Sequence, residues 1–272
     1  MALSSSSFDG FVCRDDLSTF VANRAVTGAP FARSLTMLPT ERGSVAFPTA
    51  SPTGFDWVLE NGSIPTVDLG DGSDVVAVAK LAGIISMSNE FVSDNELPMS
   101  DLLGKAVADA MGPTLDRGLL FGAGAPEPEG ILAAAPTTSI FGDLRSGVIG
   151  AWGELVDDGA DPEQIVVYAS GATVAGELAR VTDVEGAPIH ADGAIPLIGP
   201  GIRMIAVPSL SLGEILVADR SALYLVLRQD FEAEISPHAG FANDQSLMRI
   251  KGRFAVACPT PEKSLRRVPQ TS

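Results

Sequence analysis

Residues 43–79 set the first limit on what this chain can fold into. The run GSVAFPTASPTGFDWVLENGSIPTVDLGDGSDVVAVA breaks every few residues at Pro, Gly, Asn or Asp, and no helical period survives it. Its short β-type pieces fit two extended strands that turn near Glu60, Asn61, Gly62 and Ser63. A hairpin this long and this sparsely apolar cannot hold itself together in water. It must lie on something, either its own domain or a neighbouring subunit.

The rest of the chain has the means to support it. With 272 residues, 46% of them hydrophobic, it can bury about three quarters of its extended surface in one large domain or two joined lobes. Mean hydropathy is +0.25, yet every apolar run stops well short of the roughly 18 residues that a membrane span needs. The start, MALSSSSFDGFVCRDD, lacks the basic residues and apolar block of a secretory signal, so the expectation is a soluble intracellular start.

Upstream of the hairpin, residues 1–42 read as an N-terminal arm. Leu17, Phe20, Val21 and Ala25 form a short helical stripe over 15–25, and Pro30 and Pro39 then break the chain. From Lys80, KLAGIISMSNEFV reads as a strand entering a short helical turn. The next stretch predicts a long helix N-capped by Ser100, with Asp101 in its first turn. Its stripe is Leu102, Leu103, Ala106, Val107, Ala110, Leu115 and Leu119, and Gly112–Pro113 should kink or split it. The loop GAGAPEP at 122–128 ends that element.

An α+β lobe follows over 143–230, not a doubly wound sheet. Helices are expected at 143–156 and from a Ser170 cap to Arg180, with strands at 164–168, 203–207, 214–218 and 222–227. A further strand at 231–235 should lie beside one at 247–258. In the latter, Met248, Ile250, Phe254, Val256 and Cys258 face one way and Arg249, Lys251 and Arg253 the other. That basic stripe is either a solvated face or a contact for acidic groups of a hairpin. The polar, basic tail from Pro259 is expected to be ordered only by contacts.

Chemistry is hard to find in this sequence. There is no G-x-S-x-G elbow, and the glycines of FGAGAPEPEG lack the Gly-Lys-Ser/Thr ending of a phosphate loop. The acids Asp56, Glu60, Asp68, Asp71 and Asp74 do not match the spacing of a calcium loop. Cys13 and Cys258 are far apart, and with only His190 and His238 beside them no zinc-type cluster emerges. The expectation is no catalytic residue, no metal and no cofactor. An enzyme would need convergent titratable groups in a pocket, and the sequence offers none. With 34 acidic residues against 18 basic ones, a formal charge of −16 repels nucleic acid at long range.

The order of these elements resembles the major capsid proteins of tailed bacteriophages, whose fold is shared by encapsulins. The likeness covers about residues 44–262. It rests on Trp57-Val58-Leu59-Glu60-Asn61-Gly62 in the hairpin, Lys80-Leu81-Ala82 leaving it, and Ser86-Met87-Ser88-Asn89-Glu90-Phe91 before the long helix. It continues through Leu115-Asp116-Arg117-Gly118-Leu119-Leu120-Phe121-Gly122, Pro128-Glu129-Gly130-Ile131-Leu132, Asp230-Phe231 and 249–259.

The resemblance implies an α+β tailed-phage major capsid fold. Its parts would be an N-terminal arm (1–42), an extended hairpin loop (43–79), a peripheral domain with a long spine helix (80–135 and 228–262), an axial α/β domain (136–227) and a C-terminal tail (263–272). It implies a non-enzymatic subunit that assembles with itself, in the host cytoplasm, into pentamers and hexamers of an icosahedral shell. That virion head would enclose double-stranded DNA without sequence-specific binding, bear a portal protein and touch no membrane.

Trp57, Glu60, Asn61, Arg249, Lys251 and Arg253 are the candidate inter-subunit contacts, and the Gly/Pro-rich loop 185–201 is the candidate capsomer centre. No lysine precedes Lys80, so the lysine–asparagine cross-link of some relatives is not expected, and cohesion falls to non-covalent contacts or a cement protein. With about forty residues before the hairpin, scaffolding is expected to be a separate protein or unnecessary. The alternative is an encapsulin-like nanocompartment around protein cargo.

Overall fold

The structure is a computed structural model that describes residues 28–49, 56–60, 62–66, 72–88, 99–138, 144–180, 197–198, 202–211, 214–240 and 243–269. The helix expected at 15–25, the turn after Ser88, most of the loop 185–201 and the last three residues lie outside them.

The arm enters through α1 (Pro30–Ser34), then β1 (Thr36–Pro39). Pro30 does not break the chain here. It occupies the first helical turn, where its missing N–H costs nothing. Ala29 at the N-cap offers no side-chain acceptor, and the cap comes instead from a residue 85 positions away. Asp116 accepts the Phe31 N–H at Oδ2 (3.0 Å) and the Ala32 N–H at Oδ1 (2.9 Å). All three residues are fully buried, and that burial raises the Asp116 carboxyl to about 6 against the pull of the two backbone donors.

Asp116 stands on α2 (Met99–Phe121), which spans about 34 Å at 1.5 Å per residue. The helix starts one residue ahead of the expected Ser100 cap, within the usual uncertainty of a helix end. Val107, Met111, Leu115 and Leu119 recur every four residues on its inner face, while Ala106 and Ala110, expected in the stripe, are exposed.

Gly112–Pro113 does not end the helix. Pro113 takes part in it, its carbonyl accepting from Ser209 Oγ (2.9 Å). Gly112 serves as a notch: a Cβ there would lie 2.5 Å from the carbonyl carbon of Gly28, so the arm's backbone runs where a side chain would stand. After Gly122 the chain loops back, and the Ile131 and Leu132 N–H groups cap the Leu119 and Leu120 carbonyls (3.1 Å each). A Cβ at Gly122 would meet the Pro128 carbonyl oxygen at 2.0 Å and one at Gly130 the Gly122 nitrogen at 2.6 Å, so these two glycines serve a backbone crossing.

Two sheets complete the fold. The first has the order β1-β9-β10-β4, with β4 at Ala79–Ser88, β9 at Tyr224–Gly240 and β10 at Gln245–Ala257. The strands expected at 222–227 and 231–235 are one strand, β9. The polar run Arg228-Gln229-Asp230 reads as an interruption, but pairing to β10 carries the chain across it, with register shifts on either side of Arg253.

The second sheet has the order β11-β8-β5-β7-β6: β5 Ile165–Ala169, β6 Leu197–Ile198, β7 Ile202–Ala206, β8 Glu214–Asp219 and β11 Leu265–Pro269. Only β5 and β7 run parallel, consistent with an α+β lobe. The helices α3 (Leu144–Asp157) and α4 (Gly171–Arg180) belong to this lobe, and Ser170 Oγ caps α4 by accepting the Thr173 N–H (3.2 Å).

β5 is apolar throughout because it serves two cores. Val166 and Tyr168 join the main cluster with Phe31, Leu119, Phe231, Met248 and Ile250, while Ile165, Val167 and Ala169 pack with Val148, Leu155 and Val268.

The tail beyond Pro259 differs from expectation. A single turn, α5 (Pro261–Ser264), leads into β11, which pairs antiparallel with β8, and Leu265 and Val268 are fully buried. Arg266 secures it: Nε donates to Glu154 (2.9 Å), Nη2 to Asp158, and Nη1 to the carbonyls of Glu262 and Leu265 (2.5 and 2.7 Å). Leu265 and Val268 stand three residues apart and enter different cores, so period-two alternation gave no signal for that strand.

Candidate functional site

The hairpin of residues 43–79 divides into a supported base and an unsupported tip. Strands β2 (Ser44–Thr49) and β3 (Gly72–Ala77) pair antiparallel in a register centred between residues 60 and 61. The Gly62 N–H donates to the Leu59 carbonyl (2.8 Å), closing a turn where the sequence calls for one. Val45, Phe47, Val76 and Val78 pack on Val226, Ala255 and Ala257 of the first sheet, and Phe47 stacks on Tyr224 with ring centroids 5.7 Å apart. The base therefore lies on its own chain.

The tip does not. Trp57 keeps 101% of its reference surface, Leu59 87% and Ile64 82%, and Glu60 is exposed beside them. A solvated tryptophan flanked by leucine and isoleucine is the kind of apolar surface that marks a contact with another molecule. Asn61 lies outside the described residues.

The second surface is the outer face of the β9–β10–β4 ladder. Met248, Ile250, Phe254 and Val256 are buried, while Arg249, Lys251 and Arg253 face outward, as the alternation predicts. Arg249 and Lys251 are not free for a neighbour. Arg249 forms an ion pair with Glu234, and Lys251 Nζ lies 3.2 Å from Glu232 and 3.5 Å from Glu234. A hydrogen bond from Gln229 and then the Lys251 ammonium hold the Glu232 carboxyl below its ordinary range, and the Arg249 guanidinium does the same for Glu234. The acidic partners come from β9 of the same chain, a pairing visible only once the strands are in register. Arg253 has no ion-pair partner among the described residues, and its neighbour across β4 is Lys80.

The groups screened for chemistry are dispersed. Cys258 is buried and its thiol is pushed up to about 12, chiefly by desolvation, which leaves it a poor nucleophile. Cys13 and His190 lie outside the described residues, as do Asp68 and Asp71, and His238 is exposed on β9. No cluster of three His, Cys, Asp or Glu side chains suited to a metal occurs among the described residues, and no described helix is long and apolar enough to cross a membrane.

The model of the phage capsid family matches residues 9–263. The chain belongs to the phage capsid family. No curated protein is significantly similar to it in sequence. Among solved structures, a chain from Mycobacterium phage Bobi is 21% identical, with a TM-score of 0.69 over 90% of this chain and 91% of that one. The capsid of a native GTA particle is 14% identical, with a TM-score of 0.69 over 100% of this chain and 95% of that one. A virus-like particle from Pyrococcus furiosus is 12% identical, with a TM-score of 0.65 over 93% and 98%.

At these identities the likeness establishes the fold: α+β, the tailed-phage major capsid fold expected from the sequence. This capsid protein is a shell-forming structural component of a virion, and its family and fold are those of structural proteins, not enzymes.

Proposed function

We propose that this protein assembles into the pentamers and hexamers of an icosahedral head that encloses the double-stranded DNA of a tailed phage, in the host cytoplasm, around a portal. Scaffold and cement proteins are its candidate helpers. The observation that carries the reading is the exposed tip: Trp57, Leu59 and Ile64 stand in solvent, whereas most other large apolar side chains among the described residues are buried. Burying one tryptophan removes roughly 150–250 Å² from water, about 4–6 kcal/mol gross at 25 cal/mol/Å² before the entropic costs of association. Repeated around a closed lattice, contacts of this size act together, and no single one has to be strong.

Trp57, Glu60 and Asn61 are the proposed contacts on the hairpin side and Arg253 on the receiving side. Arg249 and Lys251, on the same outward face, already have in-chain partners. The acidic balance, −16 overall, suits a wall that must not adhere to packed DNA.

The likeness to a virus-like particle supports a second reading, an encapsulin-like shell around protein cargo. Negative-stain electron microscopy with mass analysis of the protein expressed alone tests the first claim. Shells or rings of five and six subunits are expected, and a monomer that never assembles, even with a candidate scaffold, would falsify it. Nuclease-protected DNA against co-purified protein then separates the two cargoes.

A further inference from the structure

The rows across the outer face of the first sheet are not equally neutralised. Register places Ile84, Arg249 and Glu234 in one row, Ala82, Lys251 and Glu232 in the next, and Lys80, Arg253 and Gln229 in the third. The first two rows each set a cation beside a carboxylate. The third sets two cations directly opposite each other, with a neutral amide beyond. Residues directly opposed across antiparallel strands share a face with Cβ atoms about 4.5–5.5 Å apart, and like charges placed there are destabilising. Neither Lys80 nor Arg253 has an ion-pair partner among the described residues. Among the described residues, no carboxylate neutralises these two adjacent cations.

We propose that the Lys80–Arg253 pair is the receptor for Glu60 at the hairpin tip of a second copy of this chain. The inference rests on the shell reading and names the partner of that surface. Three observations fit this occupant together. Glu60 is exposed at the turn, and Trp57 and Leu59 beside it are exposed too, so these tip residues rest on no described residue of their own chain. The receptor has its own apolar neighbour: Ile84, 68% exposed, lies four residues from Lys80 on the same face, about 14 Å along the strand. Trp57 lies three residues from Glu60, within about 10 Å of chain, and the long Lys, Arg and Glu side chains span the difference. A carboxylate beside an aromatic ring therefore meets a cation pair beside an isoleucine. Subunits that each carry −16 repel at a distance, so a local contact of opposite sign also sets which faces approach. A nucleic-acid phosphate is the other candidate anion, but it leaves Ile84 and the tip unexplained.

The test is a charge exchange. Arg253→Glu, Glu60→Arg and the double variant are expressed beside the unaltered protein, with shells counted by negative-stain microscopy and sedimentation. Arg253→Glu places a carboxylate opposite Lys80 of the same chain, so folding is not threatened, and thermal melting of the unassembled subunit checks this. Each single variant is expected to lower the assembled fraction by about tenfold or more, because the lattice repeats the contact, and the double variant to recover to within about twofold. Full assembly by both single variants, or a double variant no better than either, overturns the inference while leaving the shell reading intact. Singles that assemble fully yet lose protected DNA assign the cation pair to phosphate and overturn it as well. If the unaltered protein forms no shell, the shell reading fails first and the receptor with it.

Discussion

Replacing Asp116 with alanine should loosen the arm from the spine helix, by an amount that depends on pH in a defined direction. The side chain accepts the Phe31 N–H and the Ala32 N–H, and both residues are fully buried. Orphaning two buried donors costs about 1–3 kcal/mol each. Part of this is offset, because at neutral pH the protein no longer carries a buried carboxylate. With the carboxyl raised from 3.8 to about 6, keeping that charge costs about 3 kcal/mol relative to the protonated acid.

Two to six lost against about 3 regained leaves a net destabilisation at pH 8 of no more than about 3 kcal/mol. Because the folded pKa lies above the unfolded value, the native state binds more protons between pH 4 and 6. The stability contributed by this group is present below pH 4 and is lost as pH rises through 6. On acidification from pH 8 to pH 5 the unaltered protein should gain about 1.4 kcal/mol that the alanine variant does not. Urea unfolding of unassembled subunits at both pH values measures this, since the other carboxylates cancel in the comparison. An equal penalty at pH 5 and pH 8, or none at either, would refute the reasoning.

Trp57→Ala combined with Leu59→Ser should leave the melting temperature of the subunit unchanged while abolishing shells, because both side chains are solvated in the chain itself; a lowered melting temperature would mean that the tip packs internally. Arg266→Ala should cost roughly 2–4 kcal/mol in urea unfolding, from two lost carbonyl bonds and two ion pairs whose acids are more than a third exposed and so partly screened; a penalty below about 0.5 kcal/mol would show that β11 does not need this anchor. Gly112→Ala should speed hydrogen exchange at Phe31 and Ala32, because its methyl group would stand 2.5 Å from the Gly28 carbonyl carbon; unchanged protection would show that the arm can shift without releasing α1.

Much of this molecule is written in local pattern. The Pro/Gly-punctuated hairpin, the long apolar-striped helix and the alternation of β10 each follow from a short window of sequence, because turn chemistry and periodicity act over a few residues. The same holds for the exposed Trp57, which no local apolar run could cover. Other features depend on which residues the fold brings opposite one another. Arg249, Lys251 and Arg253 are equivalent in sequence, and only the strand register gives the first two an acidic partner and leaves the third facing Lys80. Asp116 reads as a charged residue on a helix until the arm, 85 positions earlier, presents two unpaired N–H groups to it. Gly112–Pro113 reads as a break until the arm's backbone occupies the space that glycine leaves. The basic tail becomes a strand because the edge of β8 has backbone groups to satisfy and Arg266 meets Glu154 and Asp158. Local propensity chooses the elements, whereas the pairing of distant polar groups, each too costly to bury alone, decides how they meet.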